Sequence, residues 1–166
     1  MNRRGFTLIE IAVVLAIIGM VLMLVLPRLP STESESLKIS ARTLASTLRY
    51  LQDRAAVNGT VYYLHLEPGT DTVKVMEAAA EGGEKEPGDP LLQKRPVKEG
   101  IQVADVVIPR LGKVTDREIR LDVGLGGLRD FVTIHLRSPG GSFWTVMAFP
   151  AGGKVKVLEG YQEDPL

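Results

Sequence analysis

Residues 6–26 read FTLIEIAVVLAIIGMVLMLVL, an apolar run interrupted by a single carboxylate, and nothing else in the chain limits its architecture as strongly. Wound as a helix, a run of this length reaches about 31 Å, which matches the hydrocarbon core of a bilayer. Arg3 and Arg4 precede it, so the N-terminus is expected to stay cytoplasmic while the rest of the chain crosses. A secretory signal peptide needs a small-residue cleavage site after its apolar stretch. Here the stretch ends in Leu26-Pro27-Arg28-Leu29-Pro30, with no such site. Glu10 argues against a plain anchor too. A carboxylate inside hydrocarbon is expensive and calls for a partner, and no cation lies close downstream in the sequence. Cutting the bond between Gly5 and Phe6 would free an α-amino group on Phe6, and the amine of a neighbouring subunit could then offset Glu10. The expected mature chain begins at Phe6 and packs beside copies or relatives of itself. Residues 1–5 are then a cleaved leader, 6–30 a transmembrane and assembly helix, and 31–166 a globular domain on the far side of the membrane.

Arg4-Gly5-Phe6-Thr7-Leu8-Ile9-Glu10, followed by an unbroken apolar helix, resembles the class III signal of type IV pilins and pseudopilins. The resemblance implies that a prepilin peptidase cuts after Gly5, that Phe6 is then N-methylated, and that Glu10 pairs with a neighbour's amine during assembly. Gly19 and Pro27 fall where that family has helix-loosening residues, and imply a stretch able to unwind in a filament.

Pro27 and Pro30 interrupt or kink the helical pattern. Thr32-Glu33-Ser34-Glu35 then has the form of a capping box. Leu37, Ala41, Leu44, Leu48, Leu51 and Ala55 recur at spacings of four and three, a single apolar stripe that predicts a helix to Val57 packed on its own domain. Asn58-Gly59 is a C-terminal stop. Lys38, Arg42 and Arg49 fall on another face and read as a solvated surface near Asp53. The stretch from Ser40 to Leu44, and that from Arg54 to Gly59 leading into Val61–Leu66, resembles the H-type minor pseudopilins (GspH) of type II secretion and the related FimT-like minor pilins. With the N-terminus, this resemblance covers roughly the first 75 residues.

Beyond them the pattern turns to strands. Val61–Leu66 and Thr72–Met76 form a predicted hairpin about Glu67-Pro68-Gly69-Thr70-Asp71. Residues 78–100, rich in Gly, Pro and charge, read as a long exposed loop, partly disordered. Strands are expected again at Ile101–Ile108, at Glu118–Val123 with one wet face, at Val132-Ile134-Leu136 in the same alternation, at Phe143–Phe149 and at Lys154–Leu158. About seven antiparallel strands after a long helix give an α+β class: an amphipathic helix packed on a β-sandwich-like C-terminal domain, the pilin fold.

No constellation of catalytic residues emerges, and the chain is expected not to be an enzyme. There is no Cys, which removes disulfides, thiolate catalysis and Cys-ligated metals together. His65 and His135 are isolated strand residues rather than a metal pair, and Ser142 has no partnered His or acid near it in sequence. Gly124-Leu125-Gly126-Gly127 lacks the Lys-Ser/Thr of a phosphate loop and reads as a turn. Asp89, Asp105, Asp116, Asp122 and Asp130 lack EF-hand spacing. Neither a metal nor another cofactor is expected. Lys and Arg number 20, as do Asp and Glu, so no global field invites nucleic acid. What the resemblance implies is a structural subunit of the type II secretion pseudopilus, supporting export of folded proteins across the outer membrane. Its partners would be other minor and major pseudopilins, the prepilin peptidase and the inner-membrane assembly platform. It would sit single-pass in a bacterial inner membrane, with the globular domain periplasmic. The alternative is a FimT-like minor type IV pilin acting in pilus assembly or DNA uptake, against which the acidic end at Glu163 and Asp164 weighs.

Overall fold

The structure, a computed structural model, describes residues 8–25, 32–150 and 153–163. The chain divides into two compact units, Met1–Ser31 and Thr32–Leu166. The first holds helix α1 (Leu8–Val25), whose 18 residues carry Glu10 in the first turn. The second opens with α2 (Thr32–Asn58). Its strands are β1 (Tyr62–Leu66), β2 (Val73–Ala78), β3 (Glu84–Lys85), β4 (Gln102–Ile108), β5 (Gly112–Val114), β6 (Ile119–Gly124), β7 (Gly127–Leu128), β8 (Val132–Arg137), β9 (Phe143–Ala148) and β10 (Val155–Glu159).

The α2 stripe is buried as its spacing predicts: Leu37, Ala41, Leu44, Leu48, Leu51 and Ala55 are all fully covered. Each such leucine contributes about 1.5–3 kcal/mol relative to exposure, so it is burial of this face that holds the helix in place. The expected C-terminal stop is in place. Gly59 takes φ +65°, and its N–H donates to the Ala55 carbonyl at 3.0 Å, closing the last turn. At the other end Glu33 and Glu35 lie in the first turn, where carboxylates complement the helix dipole. The Thr32 side chain of the expected capping box lies outside the described residues. Glu33 reaches elsewhere, accepting the Gly140 N–H at 3.1 Å and tying the β8–β9 turn to the helix start.

Among the described residues the ten strands form two antiparallel five-stranded sheets, ordered β3-β2-β1-β6-β7 and β10-β9-β8-β4-β5. Alternate residues of β1 (Tyr62, Leu64, Leu66) and β6 (Ile119, Leu121, Val123) face the core from the first sheet. Val106, Ile134, Leu136, Val146, Ala148 and Val155 face it from the second, and with α2 they form one continuous cluster. The β1–β2 turn joins the sheets. Gly69 N–H donates to the Val103 carbonyl at 2.7 Å, and Val103 N–H donates to that of Thr70 at 2.8 Å.

The structure departs from expectation in three places. Residues 78–100 are not simply an exposed loop: β3 pairs with β2, and Leu92 and Val97 are buried. Pro87 and Pro96 are buried with them; four scattered apolar side chains make no periodicity, yet Leu92 and Val97 join the core. The seven expected strands are joined by β3, β5 and β7, each of two or three residues and too short for an alternation to show. Finally, β8 has no wet face, since Thr133 and His135 are buried as well as their apolar neighbours.

Candidate functional site

In α1 every described side chain from Leu8 to Met23 is exposed, so the helix presents apolar surface all round. Such a helix needs a nonaqueous or protein environment to cover it. Among the described residues no helix is long and apolar enough to cross a membrane. Eighteen residues span about 27 Å, short of the roughly 30 Å of a hydrocarbon core. Phe6, Thr7 and Leu26, which complete the 21-residue run of the sequence, lie outside the described residues. So do Gly5, the other half of the expected cleavage site, and Pro27, one of the two helix-loosening positions. The other, Gly19, sits within α1, and a Cβ added there would meet nothing within 4 Å.

The three cations of α2 have different environments. The Lys38 ammonium stands 5.9 Å from the Trp144 ring centroid. Arg49 donates through Nη2 to the Val155 carbonyl of β10. Arg42 is exposed. On the same helix Tyr50 and Arg54 hold Asp89, at 2.5 Å from the hydroxyl and 2.7 Å from Nη2. These two donors, with the Leu91 N–H, bring the Asp89 carboxyl down to about 2.

The two histidines are both engaged. His65 lies between Glu84 at 2.7 Å and Glu118 at 2.6 Å, on the outer face of the first sheet. Burial pushes the Glu84 carboxyl upward, but the hydrogen bonds and charges of His65 and Arg120 outweigh it and hold it below the usual range. His135 is fully buried, 2.6 Å from Asp105 through Nδ1. Burial likewise pushes Asp105 upward, while His135, Lys113 and Tyr161 bring it down. Ser142 serves structure: its N–H donates to Ser138 Oγ at 3.2 Å. Gly124–Gly127 is the β6–β7 connection, with Gly127 at φ +82°. Among the described residues no group of three or more His, Asp or Glu is placed to hold a metal ion.

Residues 1–26 match the family model described as the prokaryotic N-terminal methylation motif. Over 101 residues the chain is 28% identical to the type II secretion system protein H of Vibrio cholerae serotype O1, covering 60% of this chain and 52% of that relative. The chain thus spans about half the length of the curated relative it matches. Two solved structures of the minor pseudopilin EpsH from the Vibrio cholerae type 2 secretion system superpose with TM-scores of 0.63 and 0.62. They are 20% and 21% identical to it, cover 78% of this chain and are themselves covered to 99% and 98%. The fold is that of a minor pseudopilin. None of these relatives is named for a catalytic activity.

Within this pseudopilin fold, sequence reasoning missed two polar clusters. Asp89 lies in a segment read as loop, 35 residues from its Arg54 partner, and left no signal. The His135–Asp105 pair, 30 residues apart, left none either. The run Val132-Thr133-Ile134-His135-Leu136 is flanked on both sides by strands in the same sheet, and a central strand with a lid over its outer face buries its polar residues too.

Proposed function

We propose that this chain is a minor pseudopilin of a type II secretion system, with a structural role. The observation that carries the proposal is a conjunction. One chain holds the N-terminal methylation motif at residues 1–26 and a domain whose fold covers 99% of a solved minor pseudopilin. On this reading a prepilin peptidase cleaves between Gly5 and Phe6 and Phe6 is methylated. The helix that follows anchors the subunit in the inner membrane before assembly. Glu10 meets the amine of a neighbouring subunit, and Gly19 and Pro27 let the helix loosen as the filament forms. Residues 6–30 serve anchoring and assembly, and 31–166 lie in the periplasm against other pseudopilins. The exposed apolar surface of α1 supports an assembled environment, since a protein does not leave such a surface to water.

Deletion of the chromosomal copy tests the proposal. Normally secreted folded proteins should accumulate in the periplasm, and the full-length chain should restore export. Unaffected secretion, with loss of surface pili or of DNA uptake, would instead support the FimT-like reading.

A further inference from the structure

Strand β10 ends the second sheet. It pairs with β9, and among the described residues no strand lies on its other side. Phe149 N–H donates to the Lys154 carbonyl at 3.0 Å, and Gly160 N–H to that of Phe143 at 2.9 Å. Bonded and non-bonded pairs alternate along an antiparallel ladder. Lys154, Lys156 and Leu158 therefore bond β9, while Val155, Val157 and Glu159 aim their N–H and C=O groups away from the sheet. Two of those carbonyls are taken. Arg49 Nη2 donates to that of Val155, and Gln162 Nε2 to that of Glu159 at 3.4 Å. The Val157 carbonyl and the three N–H groups have no partner among the described residues. After Glu159 the chain turns across the outer face of the sheet instead of along its edge. There Tyr161 stacks on His135 with centroids 3.8 Å apart, and the Gln162 carbonyl accepts from His135 Nε2 at 2.9 Å.

The cations of α2 run beside this edge. Lys38, Arg42 and Arg49 follow one another at intervals of one and two helical turns, so they share a flank of the helix. Arg49 reaches the Val155 carbonyl at one end of β10. Lys38 stands over Trp144, the β9 residue that pairs with Glu159 at the other end. Arg42 falls between them and is exposed. An open edge is usually guarded by lysines held along it. Here Lys154 and Lys156 lean back over the Phe149 ring, with Nζ 5.6 and 5.5 Å from its centroid, and Leu158 stands 38% exposed beside the edge they leave.

We propose that the β10 edge and the basic flank of α2 form one docking surface, and that its occupant is an extended acidic segment of a different protein, added to the sheet as a further strand. The backbone supplies affinity in such an addition, and alternate side chains supply choice. The residue set opposite Val157 exchanges both hydrogen bonds with it and turns an apolar side chain to the same face as Val157, which packs partly against the core. The residues set opposite Val155 and Glu159 face Arg49 and Lys38, so a carboxylate suits both places. The pattern sought is acidic, any, apolar, any, acidic, and it reads the same in either strand direction. A second copy of this chain fits poorly, because pairing two β10 edges about Val157 sets Lys156 diagonally against its mate and brings two basic flanks together. The surface depends on β10 and α2 alone, and it stands or falls independently of a role in secretion.

Amide hydrogen exchange on the full-length chain in detergent tests the surface, with the peptide acetyl-Ser-Glu-Ile-Val-Thr-Glu-Ser-amide as probe. Excess peptide should slow exchange at Val155, Val157 and Glu159 and leave Lys156 and Leu158, already bonded to β9, unchanged. Methylating the peptide's valine nitrogen removes the donor for the Val157 carbonyl and should abolish the effect. Lys38→Glu with Arg42→Glu should weaken binding by roughly two- to fivefold for each charge, and should favour a peptide carrying Lys in place of Glu. Should that variant fail to fold, Val157→Pro removes an open donor without touching the β9 ladder and should abolish protection at Val155 and Glu159. No protection by the acidic peptide overturns the proposal. So does equal binding of the methylated peptide, which would show that charge alone holds it, as it would hold DNA. Protection of the same three amides that rises with protein concentration in the absence of peptide would assign the edge to a second copy and overturn the proposal too.

Discussion

Arg54 and Asp89, on α2 and in the β3–β4 connection, form an ion pair of 2.7 Å that also engages the Tyr50 hydroxyl, and this contact anchors the segment after β3 to the helix. The Asp89→Asn variant should loosen that segment without unfolding the domain. Leu92 and Val97 still plug the core, so limited proteolysis should cut faster between residues 86 and 95 while the thermal midpoint moves little. The same contact responds to acid. The Asp89 carboxyl is lowered from 3.8 to about 2, so its contribution is complete above the unfolded value and lost as pH falls through about 2. Protease sensitivity of the wild type should therefore approach that of Asp89→Asn in strong acid. Deletion of residues 82–90 should be more damaging than either, because it removes β3 together with Asp89. A melting curve unchanged by that deletion would show that the β2–β3 pairing contributes nothing.

The domain's stability should depend most steeply on the α2 stripe. Leu48 is fully buried between the helix and both sheets' core cluster. Leu48→Ala should cost about 2–5 kcal/mol, the transfer loss plus the cavity left behind. Val57, on the same helix but 79% exposed, is the control. Val57→Ala should change stability by no more than about 0.5 kcal/mol. Denaturant melts of the two variants, compared with wild type, check the contrast.

That stripe was the most legible part of the chain, because a helical period over five turns has no competing explanation. Six residues chosen by spacing alone are six buried residues. The strands were legible where alternation ran for five residues or more, as in β1 and β6. The order of the two sheets was not, since β1 pairing with β6 and β4 with β8 depends on contacts far apart in sequence. Charge and glycine hid the structure of residues 78–100: four scattered buried apolar residues, Pro87, Leu92, Pro96 and Val97, and one half-buried anchor, Asp89, are enough to order a segment whose composition suggests a solvated loop. His135 was misjudged for a related reason. Alternation predicts a wet outer face, and it takes the chain's own C-terminal segment to cover it.

Processing and assembly should separate genetically at the N-terminus. Gly5→Val should leave uncut precursor in the membrane, because a branched side chain cannot enter a site that reads glycine. Intact mass of the purified protein would show the chain still beginning at Met1. Glu10→Leu removes a carboxylate whose charge costs roughly 3 kcal/mol at the centre of a membrane helix and less near its end. It should be cut and methylated normally and partition into membrane at least as well, yet fail to support secretion. Wild-type secretion by Glu10→Leu would show that this carboxylate has no part in assembly.

The secretion and DNA-uptake readings differ most sharply in electrostatics. Nonspecific DNA affinity comes from neutralising phosphates and falls steeply with salt. If the proposed cleavage removes Arg3 and Arg4, 18 Lys and Arg stand against 20 Asp and Glu, and such a mature chain has no net positive field to draw DNA in. The basic face of α2 is weaker than its sequence suggests. Arg49 is committed to the Val155 carbonyl, and Lys38 lies over Trp144. Arg42 and Lys38 are therefore the informative substitutions, because Arg49→Ala would also remove a bond that ties β10 to the helix. At about 0.15 M salt the full-length protein in detergent should give no gel shift at micromolar concentration, and Lys38→Ala with Arg42→Ala should leave that result unchanged. A shift in the wild type that the double variant abolishes, with its melting temperature intact, would move the assignment to the DNA-binding minor pilins.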